Sequence, residues 1–150
     1  MPVIFGQSQT VDLKTAVNTA GGYGSTILTS TSSSYALVGA VTFTFTNVID
    51  GMKVYIDYQC SIQASASSVC SVTARVNDNG TTTDIAEAEC QSDLANGLRE
   101  AVGSATYTVA HCGTSGAGTV VVSLVGKRVI GSGSALVINP IVLRARLARD

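Results

Sequence analysis

Tryptophan is absent, histidine occurs once, and Asp, Glu, Lys and Arg together make up only 13% of the 150 residues. Without Trp, the Cys…Trp…Cys core of an immunoglobulin domain is excluded. A formal net charge of -1 offers no clustered basic patch of the kind that nucleic acid requires. His111 stands alone, and no two of Cys60, Cys70, Cys90 and Cys112 have C-x-x-C spacing, which argues against a zinc site. Aromatic residues reach only 5%, few for the walls of a glycosidase cleft. No apolar run approaches the roughly 18 residues of a membrane helix. Residues 1–6 (MPVIFG) have neither the basic start nor the apolar length of a signal peptide, so the expectation is a chain made and used without export. No repeat of fixed period is visible.

What is present is apolar and strand-like. Hydrophobic residues make up 45% of the chain, enough for one domain with a real core and too many for disorder. Solubility is left to Ser, Thr, Asn and Gln, a surface that suits a protein crowded by neighbours in an assembly. The clearest stretch is 54–76. Val54, Ile56, Tyr58, Cys60 and Ile62 share one parity, and Cys70, Val72, Ala74 and Val76 repeat it after a small polar link. A period of two puts these residues on the dry face of pleated strands. The expectation is a β-hairpin with one wet face, in which Cys60 and Cys70 face each other. Buried free thiols and a Cys60–Cys70 disulfide both fit that arrangement.

Residues 1–24 differ from the rest: an apolar tip, a polar stretch, then Gly21, Gly22 and Gly24. They read as an N-terminal arm that docks on a neighbour, or as an ordinary first strand or a frayed end. The domain proper, 25–150, reads as strands joined by turns. Tyr35, Leu37, Val41, Phe43 and Phe45 share a face that Gly39 interrupts with a bulge or bend. Asn79-Gly80 is a strong hairpin signal. Residues 82–90 read as a further strand, with Glu87 and Glu89 together on one side. Residues 91–100 read as a long connection between two sheets, with room for a helical turn ending at Asn96-Gly97. Residues 119–125 are β-branched and suit a central strand. Pro140 makes the last strand an edge or bends it. About eight antiparallel strands in two packed sheets favour an all-β jelly-roll sandwich.

No chemistry announces itself. Cys112 and His111 are adjacent on an extended chain and point to opposite faces, so they cannot form a nucleophile pair. Asp78, Asn79, Gly80 and Asp84 resemble a calcium loop without its spacing, and a hairpin turn explains them. Residues 113–118 are Gly-rich, but no helix follows to cradle phosphate. Arg144, Arg146 and Arg149 form a small basic cluster that could meet acidic groups on a neighbour or stay solvated. The expectation is a non-enzyme with no metal and no cofactor.

Residues 51–58 (GMKVYIDY), 73–80 (TARVNDNG), 118–124 (GTVVVSL) and 141–147 (IVLRARL) resemble successive strands of trimeric jelly rolls. Such patterns occur in tumour-necrosis-factor/C1q-like domains and in small tailed-phage virion proteins, including capsid decoration (cement) proteins and fibre tips. On the phage side, the resemblance implies a homotrimer on the capsid surface of a virion, made in the host cytoplasm and bound to the major capsid protein of the head. Neither membrane nor nucleic acid is an expected partner. The expected capsid or subunit contacts are the apolar residues of the arm: Pro2, Val3, Ile4, Phe5, Val11 and Leu13. The alternative is a receptor-binding or adhesion module of a tail or fibre.

Overall fold

The computed structural model describes residues 9–19, 21–65, 68–92 and 98–149. Their strands, in chain order, are β1 (Gln9–Asn18), β2 (Thr26–Ser30), β3 (Ala36–Val48), β4 (Lys53–Ala64), β5 (Cys70–Asp78), β6 (Thr81–Asp84), β7 (Cys90–Gln91), β8 (Arg99–Thr108), β9 (Gly118–Arg128) and β10 (Ala135–Arg149). One antiparallel sheet runs β1-β10-β4-β8, with β2 also on β10. The other runs β3-β9-β5-β6, with β7 also on β5. β1 and β2 lie end to end along β10, β1 on residues 141–149 and β2 on residues 135–138. β6 and β7 share β5 in the same way. Counting each end-to-end pair as one interrupted strand leaves eight. They pair first with eighth, second with seventh, third with sixth and fourth with fifth. That is the double Greek key of a jelly roll.

The core lies between the sheets. Val54, Ile56, Tyr58, Cys60 and Ile62 point into it from β4, and Val72, Ala74 and Val76 from β5, all at most 2% exposed. Val120, Val122 and Leu124 on β9, which is central in its sheet, close the same core with Leu143 and Leu147 on β10. Each large aliphatic side chain buried this way is worth about 1.5–3 kcal/mol. Tyr58 ties the layers together: its hydroxyl donates to Val72 O at 3.2 Å and to Ala88 O. Gly103 makes room for that ring, because a Cβ there would stand 2.4 Å from Tyr58 Cε1 and 2.4 Å from Ala88 O.

Several expectations change. β4 and β5 are not a hairpin, since β4 lies in one sheet and β5 in the other. Alternation marks the dry face of each strand but not its partner. Cys60 and Cys70 are both buried free thiols, and Cys112 is a third; free Cys90 is half-buried. Gly39, at φ 45°, flips the parity of β3, so Val38 is buried and Leu37 is 57% exposed. Residues 82–90 do not form one strand, because a 3-10 turn at Ala86–Ala88 separates β6 from β7. The expected crossing between sheets does lie between β7 and β8; the helical turn placed at Asn96-Gly97 falls outside the described residues. The Asn79-Gly80 turn forms as expected, with φ of 49° and 103°. β10 is an interior strand, and its ladder to β4 slips between Ile138 and Val142, around the missing N–H of Pro140. Residues 9–18, assigned to the arm, pair with β10 as the edge strand β1.

Candidate interaction face

Antiparallel partners point to the same side of a sheet, so the ladder registers fix what stands on the outer face of β1-β10-β4-β8. Three rungs cross all four strands. The first is Leu13, Arg146, Tyr55, Thr106; the second Thr15, Arg144, Asp57, Ser104; the third Val17, Val142, Gln59, Val102. β1 forms the edge of this face. Its outward side chains Val11, Leu13 and Val17 are 53%, 66% and 57% exposed, and Val102 on the opposite edge is 63% exposed. A furrow of about 820 Å³ opens over the first two rungs. Beyond the third rung a smaller hollow is lined by exposed Tyr23, Leu98 and Pro140 and half-buried Val142, with polar Gln59, Ser61 and Glu100 among them.

Several polar groups of this face find partners within the chain. Arg144 Nη2 lies 2.8 Å from Asp57 Oδ1. The Arg146 guanidinium stacks 4.2 Å over the Tyr55 ring, and its Nη1 donates to Thr10 Oγ1 at 3.1 Å. Gln59 Nε2 donates to Glu100. Arg144 and Arg146 are therefore engaged inside the chain, where the sequence left either acidic groups on a neighbour or solvent as their surroundings.

Among the described residues, the outer face of the other sheet is largely polar and bonded to itself, with Leu37 its exposed large aliphatic. Glu89 accepts from Ser71 Oγ at 2.6 Å, Gln91 Nε2 at 3.0 Å and the Tyr35 hydroxyl at 3.1 Å. Those bonds, Ser71's first, hold the Glu89 carboxyl below its ordinary range. Lys127 Nζ sits 4.1 Å over the Tyr35 ring. Burial pushes the Tyr35 hydroxyl up to about 12. Arg75 grips Asp84 with two bonds of 2.5 and 3.0 Å. Glu87 and Glu89 do not form a pair. The 3-10 turn sends Glu87 to the furrow beside Thr106, while Glu89 joins Ser71.

One end of the sandwich carries a buried carboxylate. Asp78 Oδ2 accepts from the Tyr107 hydroxyl at 2.9 Å, Ala110 N at 2.8 Å and His111 N at 3.2 Å. Cys112 Sγ donates to Asp78 Oδ1 at 3.2 Å. Asp50 Oδ1 accepts from Cys112 N and Gly113 N, so two carboxylates pin this loop. His111 itself is exposed. Burial first, then the Asp78 carboxylate, pushes the Cys112 thiol up to about 12, which keeps it protonated and a poor nucleophile. With Asp78 turned to this loop and Asp84 held by Arg75, the two do not converge on one point. Among the described residues no group of three or more His, Cys, Asp or Glu side chains is placed to share a metal.

Of the contacts expected from sequence, Pro2, Val3, Ile4 and Phe5 lie outside the described residues. Val11 and Leu13 stand exposed on β1. Sequence reasoning missed Val17, Val102 and Leu98. The alternation of Val11, Leu13 and Val17 was a visible signal; alignment with Val102 needs the register of three ladders.

The sequence matches no known protein family, and no curated protein is significantly similar to it. Among solved structures, the chain is similar to Eiger TNF from S. frugiperda, with 8% identity over 68% of this chain and 62% of that one, TM-score 0.41. It is similar to the CBM22-1 xylan-binding domain of Paenibacillus barcinonensis Xyn10C, with 13% identity over 96% and 86%, TM-score 0.43. It is also similar to a chain of infectious bursal disease virus, Gx strain, with 14% identity over 99% and 42%, TM-score 0.40. The chain thus spans less than two thirds of the Eiger and viral chains. These are distant likenesses, and the jelly-roll assignment rests on the chain's own strand pairing.

Proposed function

We propose that this chain is a non-catalytic structural protein of a virion, a decoration protein that binds the assembled phage head as a homotrimer and stabilises it. The observation that carries this reading is the asymmetry of the sandwich. One outer face exposes Val11, Leu13, Val17 and Val102, while the other is bonded to itself. An edge strand with an open aliphatic row is a liability in a protein that lives alone and an asset in one that other chains hold. The partner is the major capsid protein, and the site of action is the capsid surface. Binding only the assembled shell stabilises it by mass action, and a specific contact needs more than about 1,000 Å² of buried surface. No cofactor takes part.

The test is co-sedimentation with assembled phage capsid shells. The full chain is expected to pellet with shells and not with unassembled capsid protein; failure to pellet overturns the reading. Deleting residues 2–8 is expected to abolish pelleting while β1 stays in its sheet, and full binding by that variant removes the arm from the account. A receptor-binding or adhesion module is the second reading, favoured by the furrow with Asp57, Arg144 and Tyr55 in its wall. Binding on a glycan array without shell binding would select it.

A further inference from the structure

We infer that Asn79 is a deamidation site that the folded hairpin holds shut; the inference stands apart from the virion reading. The chain has two Asn-Gly pairs, Asn79-Gly80 and Asn96-Gly97. In such a pair the glycine amide nitrogen, having given up its proton to hydroxide, attacks the asparagine side-chain carbonyl. Here the Gly80 N–Asn79 Cγ bond forms and the Cγ–Nδ2 bond breaks, and Nδ2 takes a proton from water and leaves as ammonia. Water then opens the cyclic imide at either carbonyl, leaving aspartate or isoaspartate at position 79. Glycine favours the attack because no side chain blocks the approach of its nitrogen.

Burial does not protect this turn. Asn79 and Gly80 are both exposed, and nothing lies within 4 Å of where a Gly80 Cβ would stand. Protection comes from hydrogen bonds. The Gly80 amide donates to Asn77 Oδ1 at 2.8 Å, which holds the proton that the reaction must remove. Asn79 Nδ2, the leaving group, donates to His111 O at 3.0 Å, and the Asn79 amide donates to Thr119 O at 2.9 Å. Cyclisation turns the side chain back onto Gly80 N, so these bonds must open first. The rate then follows the population of the opened hairpin. The product cannot remake the tie, because its carboxylate has no N–H to offer His111 O. It also places a second negative charge next in sequence to the buried Asp78, which grips the Ala110 and His111 amides of the same loop. Deamidation therefore turns a transient opening of the turn into the lasting loss of one anchor of that loop.

Peptide-level mass spectrometry, which separates position 79 from position 96, tests this on the full chain incubated in mildly alkaline buffer with and without guanidinium chloride. Position 79 of the folded chain is expected to convert at least about tenfold more slowly than that of the unfolded chain. Asn77→Ala, which removes the acceptor of the Gly80 N–H, is expected to raise the folded-state rate severalfold. Far-ultraviolet circular dichroism checks that this variant is folded; the comparison with the unfolded chain decides the matter if it is not. Asn79→Asp, which reproduces one product, is expected to lower the denaturant midpoint below that of the unmodified chain. Equal rates at position 79 in the folded and unfolded chain overturn the inference, as does a folded Asn77→Ala chain that converts no faster than the unmodified one. An unchanged midpoint for Asn79→Asp overturns the loss of anchorage.

Discussion

Replacing Asp78 by alanine is expected to destabilise the protein more than any other single polar substitution among the described residues. The side chain is fully buried, and its two oxygens accept from four donors: Tyr107 Oη, the amides of Ala110 and His111, and Cys112 Sγ. A hydrogen bond to a charged group is worth about 1.5–3 kcal/mol, and a buried donor left unsatisfied costs about 1–3 kcal/mol. The terms do not add, because Ala110 and His111 are exposed and their amides can turn to water. The Tyr107 hydroxyl is half-buried and recovers part of its loss as well. Cys112 is buried and recovers little. The net expectation is about 3–5 kcal/mol for Asp78→Ala. Asp78→Asn keeps the shape and one acceptor oxygen for three of the donors and turns its amide toward Cys112, so about 1–2 kcal/mol is expected. Urea denaturation reads both. With a slope of about 1–3 kcal/mol per molar, Asp78→Ala moves the midpoint down by about 2 M. The reasoning is refuted if Asp78→Ala lies within about 0.5 kcal/mol of the unmodified protein, the range of an ordinary surface change. It is also refuted if Asn and Ala cost the same.

Other substitutions probe the layers and the turns. Gly103→Ala is expected to cost about 2–4 kcal/mol by overpacking, since its Cβ meets Tyr58 and Ala88 O at 2.4 Å, and Tyr58→Phe about 1–2 kcal/mol through its lost donor; thermal melting ranks the two. Gly80→Ala, at φ 103°, is expected to cost about 1–2 kcal/mol in the same assay, and no loss would contradict the turn geometry. Alkaline titration supplies a different check. Burial pushes Cys70, Cys112 and Tyr35 up to about 12, from ordinary values of 9.0 for the thiols and 10.0 for the phenol, and raises Cys60 and Tyr58 as well. A raised value in the fold means that stability is complete below pH 9 and drains away as pH climbs from about 9 toward 12. An unfolding curve flat across that window would contradict the burial of the thiols. Glu89 has the opposite sign: its lowered value contributes stability above the ordinary carboxylate range and loses it as pH falls, so Ser71→Ala is expected to lower stability at neutral pH and to make the loss on acidification shallower.

The architecture was largely legible because a jelly roll advertises itself through alternation. The inward rows of β4 and β5, the Asn79-Gly80 turn and the β-branched centre of β9 all follow from periods and turn residues. Partner choice was not legible. The same alternation fits a hairpin and a crossing between layers, and only the folded chain separates β4 from β5. Parity past Gly39 was lost for a related reason, since a glycine inside a strand marks a bulge without saying which residues it turns out. The 3-10 turn at Ala86–Ala88 hid in an alternating run of Ala and Glu, residues equally at home in a short turn. The interaction face was legible in pieces. Val11 and Leu13 could be suspected from an apolar row in a polar segment. Val17, Val142 and Val102 become one rung only when β1, β10, β4 and β8 are set in register. Asp78 was readable as a turn residue, but its grip on the Ala110 and His111 amides joins residues more than thirty positions apart.

Carbene footprinting of the unmodified chain, free and bound to assembled shells, tests most directly whether other chains hold this face. Labelling at Leu13, Val17 and Val102 is expected to fall severalfold on binding, with Leu37 labelled equally in both states. Equal labelling of all four positions in both states would contradict it.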